Sequence, residues 1–378
     1  MSIVPEFLQK LFESNSKVLG WQWVPDDHVV DGQNRPVPVP VGFVVNDDYV
    51  VLRLAEMYLR RSRVLWKEFY PLVHAFIAYG DPAAQRNTST VAGPGQLKDL
   101  GSSNLDRLIG LAYRLMGPLV YDGQDIELLA GLYSVPAEDG AKVLIDTLSQ
   151  LSGVVPALKQ VTEVANVLKS GAEGLLGLSG TGLALGIHDT LRAPGAGAGR
   201  PAKPGFVVAI NAPQTEVPAN TLWVKEGRLY EGPNPVASKP FDSTDMMLFE
   251  LHRGPSRAAS WATLPALAAR AKAFDTALRD TPAEQLPVTI NNLFRQFEAD
   301  LRGIDDLSNP DKSAIRAMVA NDLKGRVSAI QGGGLIETRS VAGSQARVDM
   351  RSFAPRTIPD LPADGTLPSR DDNVPLFG

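Results

Sequence analysis

Residues 49–79, YVVLRLAEMYLRRSRVLWKEFYPLVHAFIAY, are the stretch on whose reading the fold turns. Val50, Leu54, Met57, Tyr58, Trp66, Phe69, Tyr70 and Val73 recur at intervals close to a helical period and make one wide apolar face. Asn46 or Asp47 supplies a cap, and Pro71 a kink or break. The stretch is therefore expected to form the central helix of an N-terminal domain. Arg53, Arg60, Arg61, Arg63 and Lys67 then lie partly on one helical face beside Glu56 and Glu68. That run reads as a solvated face, with a dock for an acidic partner as its functional alternative.

Upstream, Val4, Phe7, Leu8, Leu11 and Phe12 mark a short amphipathic helix with Pro5 in its first turn. The segment RPVPVPVGFVV, residues 35–45, has prolines at alternate positions that cannot donate hydrogen bonds, so it reads as an extended edge or surface segment. Downstream, a helix is expected from Leu105 to Met116, ahead of Pro118. A strand is expected over about 125–135, followed by helices at about 137–151 and from Pro156 to about residue 176.

The segments LALGIHDTL (183–191), FVVAINAP (206–213), TLWVKEGRLYEG (221–232) and DMMLFELHR (245–253) read as strands, with Glu226-Gly227 as a hairpin turn. They are expected to form one sheet backed by the helices of 137–176. Beyond Arg253, apolar residues return to helical spacing in three successive segments, led by Leu267, Phe274, Phe294, Phe297, Val319 and Leu323. The sequence thus predicts an α+β chain: a mainly helical N-terminal region (1–120), a sheet-containing domain (121–255) whose sheet is mainly antiparallel, a helical bundle (256–332) and an irregular tail (333–378).

Composition narrows the function. Thirty-seven basic and 42 acidic residues give a net charge of -5, which offers no broad positive field for nucleic acid. Cysteine is absent, which removes disulfides, thiolate catalysis and thiolate metal sites and suits a reducing cytoplasm. The first residues lack the pattern of a secretory signal, and no apolar run reaches the roughly 20 residues of a spanning helix.

The glycine-rich stretch GLLGLSGTGLALGIHD, residues 174–189, has no lysine after Gly180, as a phosphate loop requires. Its order is helix, turn, strand, the reverse of a dinucleotide fingerprint, and the glycine after Ser179 comes one position early for a nucleophile turn. Its glycines read instead as a helix end and a tight turn.

Two chemical constellations remain. His252 shares a strand face with Glu250, and His188 joins them if its strand lies in the same sheet, which makes a catalytic His/Glu group. Asp26, Asp27, His28 and Asp31 on one loop form a candidate hard-metal or base cluster. No cofactor is assigned. The leading expectation is a non-enzymatic protein-interaction or assembly component of a bacterial multiprotein system, with a protein as partner. The alternatives are a hydrolase or metal-dependent enzyme using those residues, and a membrane-acting protein using residues 156–187.

Overall fold

The computed structural model describes residues 20–60, 63–64, 67–80, 86–93, 108–136, 182–193 and 200–332. The chain divides into two units, one running through Pro255 and the other beginning at Ser256. In the first unit the strands are β1 (Gly20–Trp23), β2 (Val29–Val30), β3 (Tyr49–Tyr58), β4 (Arg63–Val64) and β5 (Lys67–Tyr79). They continue with β6 (Arg86–Ala92), β7 (Leu108–Val120), β8 (Ile126–Pro136), β9 (Gly182–Arg192) and β10 (Arg200–Pro201). The remainder are β11 (Gly205–Ile210), β12 (Leu222–Lys225), β13 (Arg228–Glu231), β14 (Lys239–Pro240) and β15 (Met246–Arg253).

These strands build three sheets. The central one runs β1-β11-β15-β3-β7 with every neighbouring pair antiparallel. A second runs β10-β9-β8-β5-β4, with β6 also paired to β5. A small third sheet runs β14-β13-β12-β2 and takes in β2 parallel to β12.

Alternation along β15 shows how the layers stack. Met247, Phe249 and Leu251 share a core with Val73, Ala75 and Ile77 of β5 and Leu128, Ala130 and Leu132 of β8. Met246 and Leu248 point the other way, into a core with Leu222, Val224, Leu229 and Phe241 around the third sheet. β11 divides likewise, Val207 and Ala209 to one side, Phe206, Val208 and Ile210 to the other. The central sheet is therefore a middle layer covered on both faces.

That burial overturns the expected helical N-terminal region. Residues 49–58 and 67–79 are strands β3 and β5, and the segment expected as a helix from Leu105 to Met116 falls largely in β7. A strand covered on both faces needs apolar residues at consecutive positions, and such a run also contains the three- and four-residue spacings of a helix. In β3 every residue but Arg53 is buried. The β-branched and aromatic content of these runs fits the pleated sheet.

The strands expected around 125–135, 183–191, 206–213, 221–232 and 245–253 are present as β8, β9, β11, β12–β13 and β15. They do not form one sheet, because β8 and β9 lie in the second, β11 and β15 in the central and β12–β13 in the third. At the β12–β13 turn, Glu226 and Gly227 take φ of 51° and 76°, the left-handed pair a two-residue hairpin requires. The helices expected near residues 4–12, at 137–151 and at 156–176, and the tail 333–378, lie outside the described residues.

The second unit holds a 3-10 segment (Ala258–Thr263) and helices α1 (Pro265–Asp280), α2 (Leu286–Arg302) and α3 (Asn309–Gln331). Phe274 of α1 and Trp261 each meet Phe297 of α2 edge-on, at centroid distances of 5.7 and 5.5 Å. Ile315, Val319, Leu323 and Val327 of α3 close the same core. Ser308 caps α3 by accepting from the Asp311 amide, and buried Asp311 accepts from the Ser256 hydroxyl and the Arg257 amide.

Candidate functional site

The prolyl segment after β2 is a ridge of apolar side chains held in place by polar ones. At its start, Asp31 accepts hydrogen bonds from the amides of Gln33 and Arg35 at 2.8 and 2.9 Å and from Arg35 Nε at 2.7 Å. Those donors hold its carboxyl below the usual range. Pro36 bridges antiparallel to Val30, and the Val37 amide donates to Val29 O at 2.8 Å. Val39 packs against the core beneath the third sheet.

The far end is anchored as firmly. Arg253 Nη2 donates to Gly42 O at 2.7 Å, and buried Phe43 meets the Tyr121 ring at 5.3 Å. Asp48 accepts from the Val44 amide at 2.8 Å and pairs with Arg253 Nε at 3.1 Å. The Asn46 amide reaches Tyr121 O at 2.7 Å.

Between the anchors the apolar side chains face outward. Val41 is 95% exposed, Val44 51%, Val45 45% and Val37 40%. Pro36, Pro38 and Pro40 are also exposed. Covering one valine is worth about 1.5–3 kcal/mol, so four exposed valines within nine residues carry a large free-energy gain for any surface that fits them. The prolines marked this segment in the sequence, but the exposure of its valines did not show there. The legible signal was ten residues without a polar side chain, Pro36 to Val45, in a stretch whose prolines bar it from a central strand.

The histidine and carboxylate candidates are dispersed. Glu250 and His252 lie together on β15, with His252 Nδ1 3.6 Å from Glu250 Oε2 and Arg53 Nη1 3.9 Å from the same oxygen. Burial, aided by Arg53, lowers His252 to about 4, and burial raises Glu250 against the pull of Arg53. An imidazole so far below neutrality is a weak general base. His188 lies on β9 in the second sheet, where its Nε2 meets Glu127 Oε1 at 2.8 Å. It is thus not in the sheet of Glu250 and His252. Buried His74 is hydrogen-bonded to Ser89 at 2.9 Å and lowered to about 4 by burial.

On the acidic loop, Asp26 holds Lys203 Nζ at 2.7 and 2.8 Å, and Lys203 lies over the Trp23 ring. His28 donates through Nδ1 to Leu222 O at 2.8 Å and stacks on Trp223 at 3.8 Å with 7° between planes. Asp31 is occupied as the turn acceptor above. Among the described residues, no group of three or more His, Asp or Glu is arranged to hold a metal ion.

In the helical unit a cleft of about 250 Å³ lies between α2 and α3. Its cations are engaged locally, Arg316 with Glu298 and Lys312 with Arg302 O. No described helix is long and apolar enough to cross a membrane. Residues 156–181 of the membrane-acting alternative lie outside the described residues, and residues 182–187 belong to β9. Comparison with protein-family models, curated proteins and solved structures finds no match.

Proposed function

We propose that the chain is a non-enzymatic protein-interaction or assembly component of a multiprotein system, and that it engages its protein partner through the Pro36–Val45 ridge. The observation that carries this reading is the outward display of Val37, Val41, Val44 and Val45 from a loop pinned at both ends. A side chain held outward by a rigid scaffold loses little further entropy on binding, so its burial is converted efficiently into affinity.

The test is the hydrodynamic mass of the untagged chain purified from its own source, beside a V37D/V41D variant. The wild type is expected to elute with a stoichiometric partner and the variant alone. The variant should keep its melting temperature, because exposed positions such as these change stability by no more than about 0.5 kcal/mol. A wild-type chain that always elutes alone would sink the proposal.

A further inference from the structure

We infer that the occupant of the ridge is an aromatic-lined groove with a basic rim on a partner protein, and that Pro36–Val41 enters it as a polyproline-type ligand. This rests on the docking role proposed above and adds to it the chemistry of the partner.

The backbone comes first. Proline holds φ near −65° and drives the residue before it into the extended region, so Arg35 to Pro40 are confined to extended or polyproline conformations before any partner arrives. Three residues per turn put Pro36 and Val39 on one edge of such a helix. Val39 is turned to the core, and the backbone of Pro36 is bridged to Val30 while its ring stays exposed. The other two edges are Val37 with Pro40 and Pro38 with Val41, and all four of these residues are exposed.

Strand addition is disfavoured by the donors: the Val37 N–H is already given to Val29 O, and Pro36, Pro38 and Pro40 have no N–H to offer a neighbouring strand. A segment that offers exposed ring and methyl surface, with no N–H at its three prolines, is complementary to a concave aromatic slot.

Charge supplies the rim. Asp47 and Asp122 are both exposed at the Val44–Val45 end. The 121–125 loop abuts the ridge there, a Cβ on Gly123 being 3.0 Å from Val45 Cγ2. Lysine or arginine at the border of the groove would meet these carboxylates and raise the association rate.

The experiment uses the complex recovered with the full chain, titrated by a synthetic peptide of residues 33–47 and by full-length variants. The peptide is expected to displace the chain. Both a P36A/P38A/P40A peptide and the corresponding chain should bind about tenfold or more weakly, because the freed backbone must be ordered on binding. D122N should weaken binding about two- to threefold at low salt, with the difference fading at high salt.

Equal or tighter binding by the triple alanine forms, while V41D abolishes it, would overturn the polyproline inference and leave the docking role standing. Undiminished binding by V41D would overturn the docking role itself. Retention of the chain on phosphatidylglycerol vesicles with no protein partner would overturn both.

Discussion

Replacing Glu56 by glutamine should remove a pH dependence of stability that the wild-type chain carries between about pH 4.5 and 8. Glu56 sits on β3 opposite Leu248, beside a register shift, with its side chain fully buried toward the third sheet. One carboxylate oxygen accepts the Leu229 amide at 2.7 Å. The other has no hydrogen-bond partner, and Arg228 Nε stands 3.9 Å from it on a side chain that is 47% exposed. Burial raises the group from its usual 4.5 to about 7, against the smaller pull of the Leu229 N–H and Arg228.

The folded protein thus holds this proton more tightly than the unfolded chain. Its stabilisation is complete below about pH 4.5 and is lost as pH rises through about 7. At about 1.4 kcal/mol per unit, the interval amounts to about 3 kcal/mol by pH 8. With a urea dependence of about 3 kcal/mol per molar, the midpoint of E56Q should gain about 1 M on wild type between pH 5 and pH 8. Tryptophan fluorescence reports this transition, since Trp21, Trp23 and Trp223 lie in the sheet unit. Taking the difference between the two proteins cancels every group that titrates alike in both. Parallel midpoints across pH 5–8 would refute the reasoning, because they would mean that Glu56 is charged and solvated in the folded state.

Three further outcomes are expected. His74, lowered to about 4 from 6.5, contributes stability present above pH 6.5 and lost as pH falls toward about 4; H74Q should flatten that acid limb in urea titrations, and an unchanged limb would count against a buried neutral imidazole. G117A should cost more than about 2 kcal/mol, since Gly117 has φ of 90° and a Cβ there would lie 2.3 Å from Val50 O; a melting temperature within a degree of wild type would contradict the close approach of β7 and β3. D311A leaves the Ser256 hydroxyl and the Arg257 amide without their acceptor and should cost the helical unit about 2–3 kcal/mol, read by circular dichroism at 222 nm; a loss under about 0.5 kcal/mol would show that these bonds contribute nothing net.

What could be read without tertiary structure was the local chemistry. The Glu226-Gly227 turn needs left-handed backbone and carries glycine for it. The three C-terminal helices expose one face to water, so Phe274, Phe297, Val319 and Leu323 appear at helical period and are the residues found buried. The prolines at 36, 38 and 40 state by themselves that this segment belongs to no central strand.

Tertiary structure decided the rest. Periodicity reports one water-facing side, and β3 has none: Leu52 and Leu54 serve the core shared with the second sheet while Ala55 and Tyr58 serve the core under the third. Apolar on both faces, the run was indistinguishable from a buried helix until its neighbours in space were known. The same holds for the histidines: His188 and His252 were candidates for one constellation, and strand order alone assigned them to separate sheets. Valines 37, 41, 44 and 45 are ordinary core residues by composition, and it is the anchoring of the segment, at Val37 by Val29 and at Gly42, Phe43 and Val44 by Arg253, Tyr121 and Asp48, that leaves them outside. Sequence determined where this backbone can bend and which ends can be capped, because those depend on residues a few positions apart. Which face each strand buries, and so which residues remain to meet a partner, was set by contacts hundreds of residues apart.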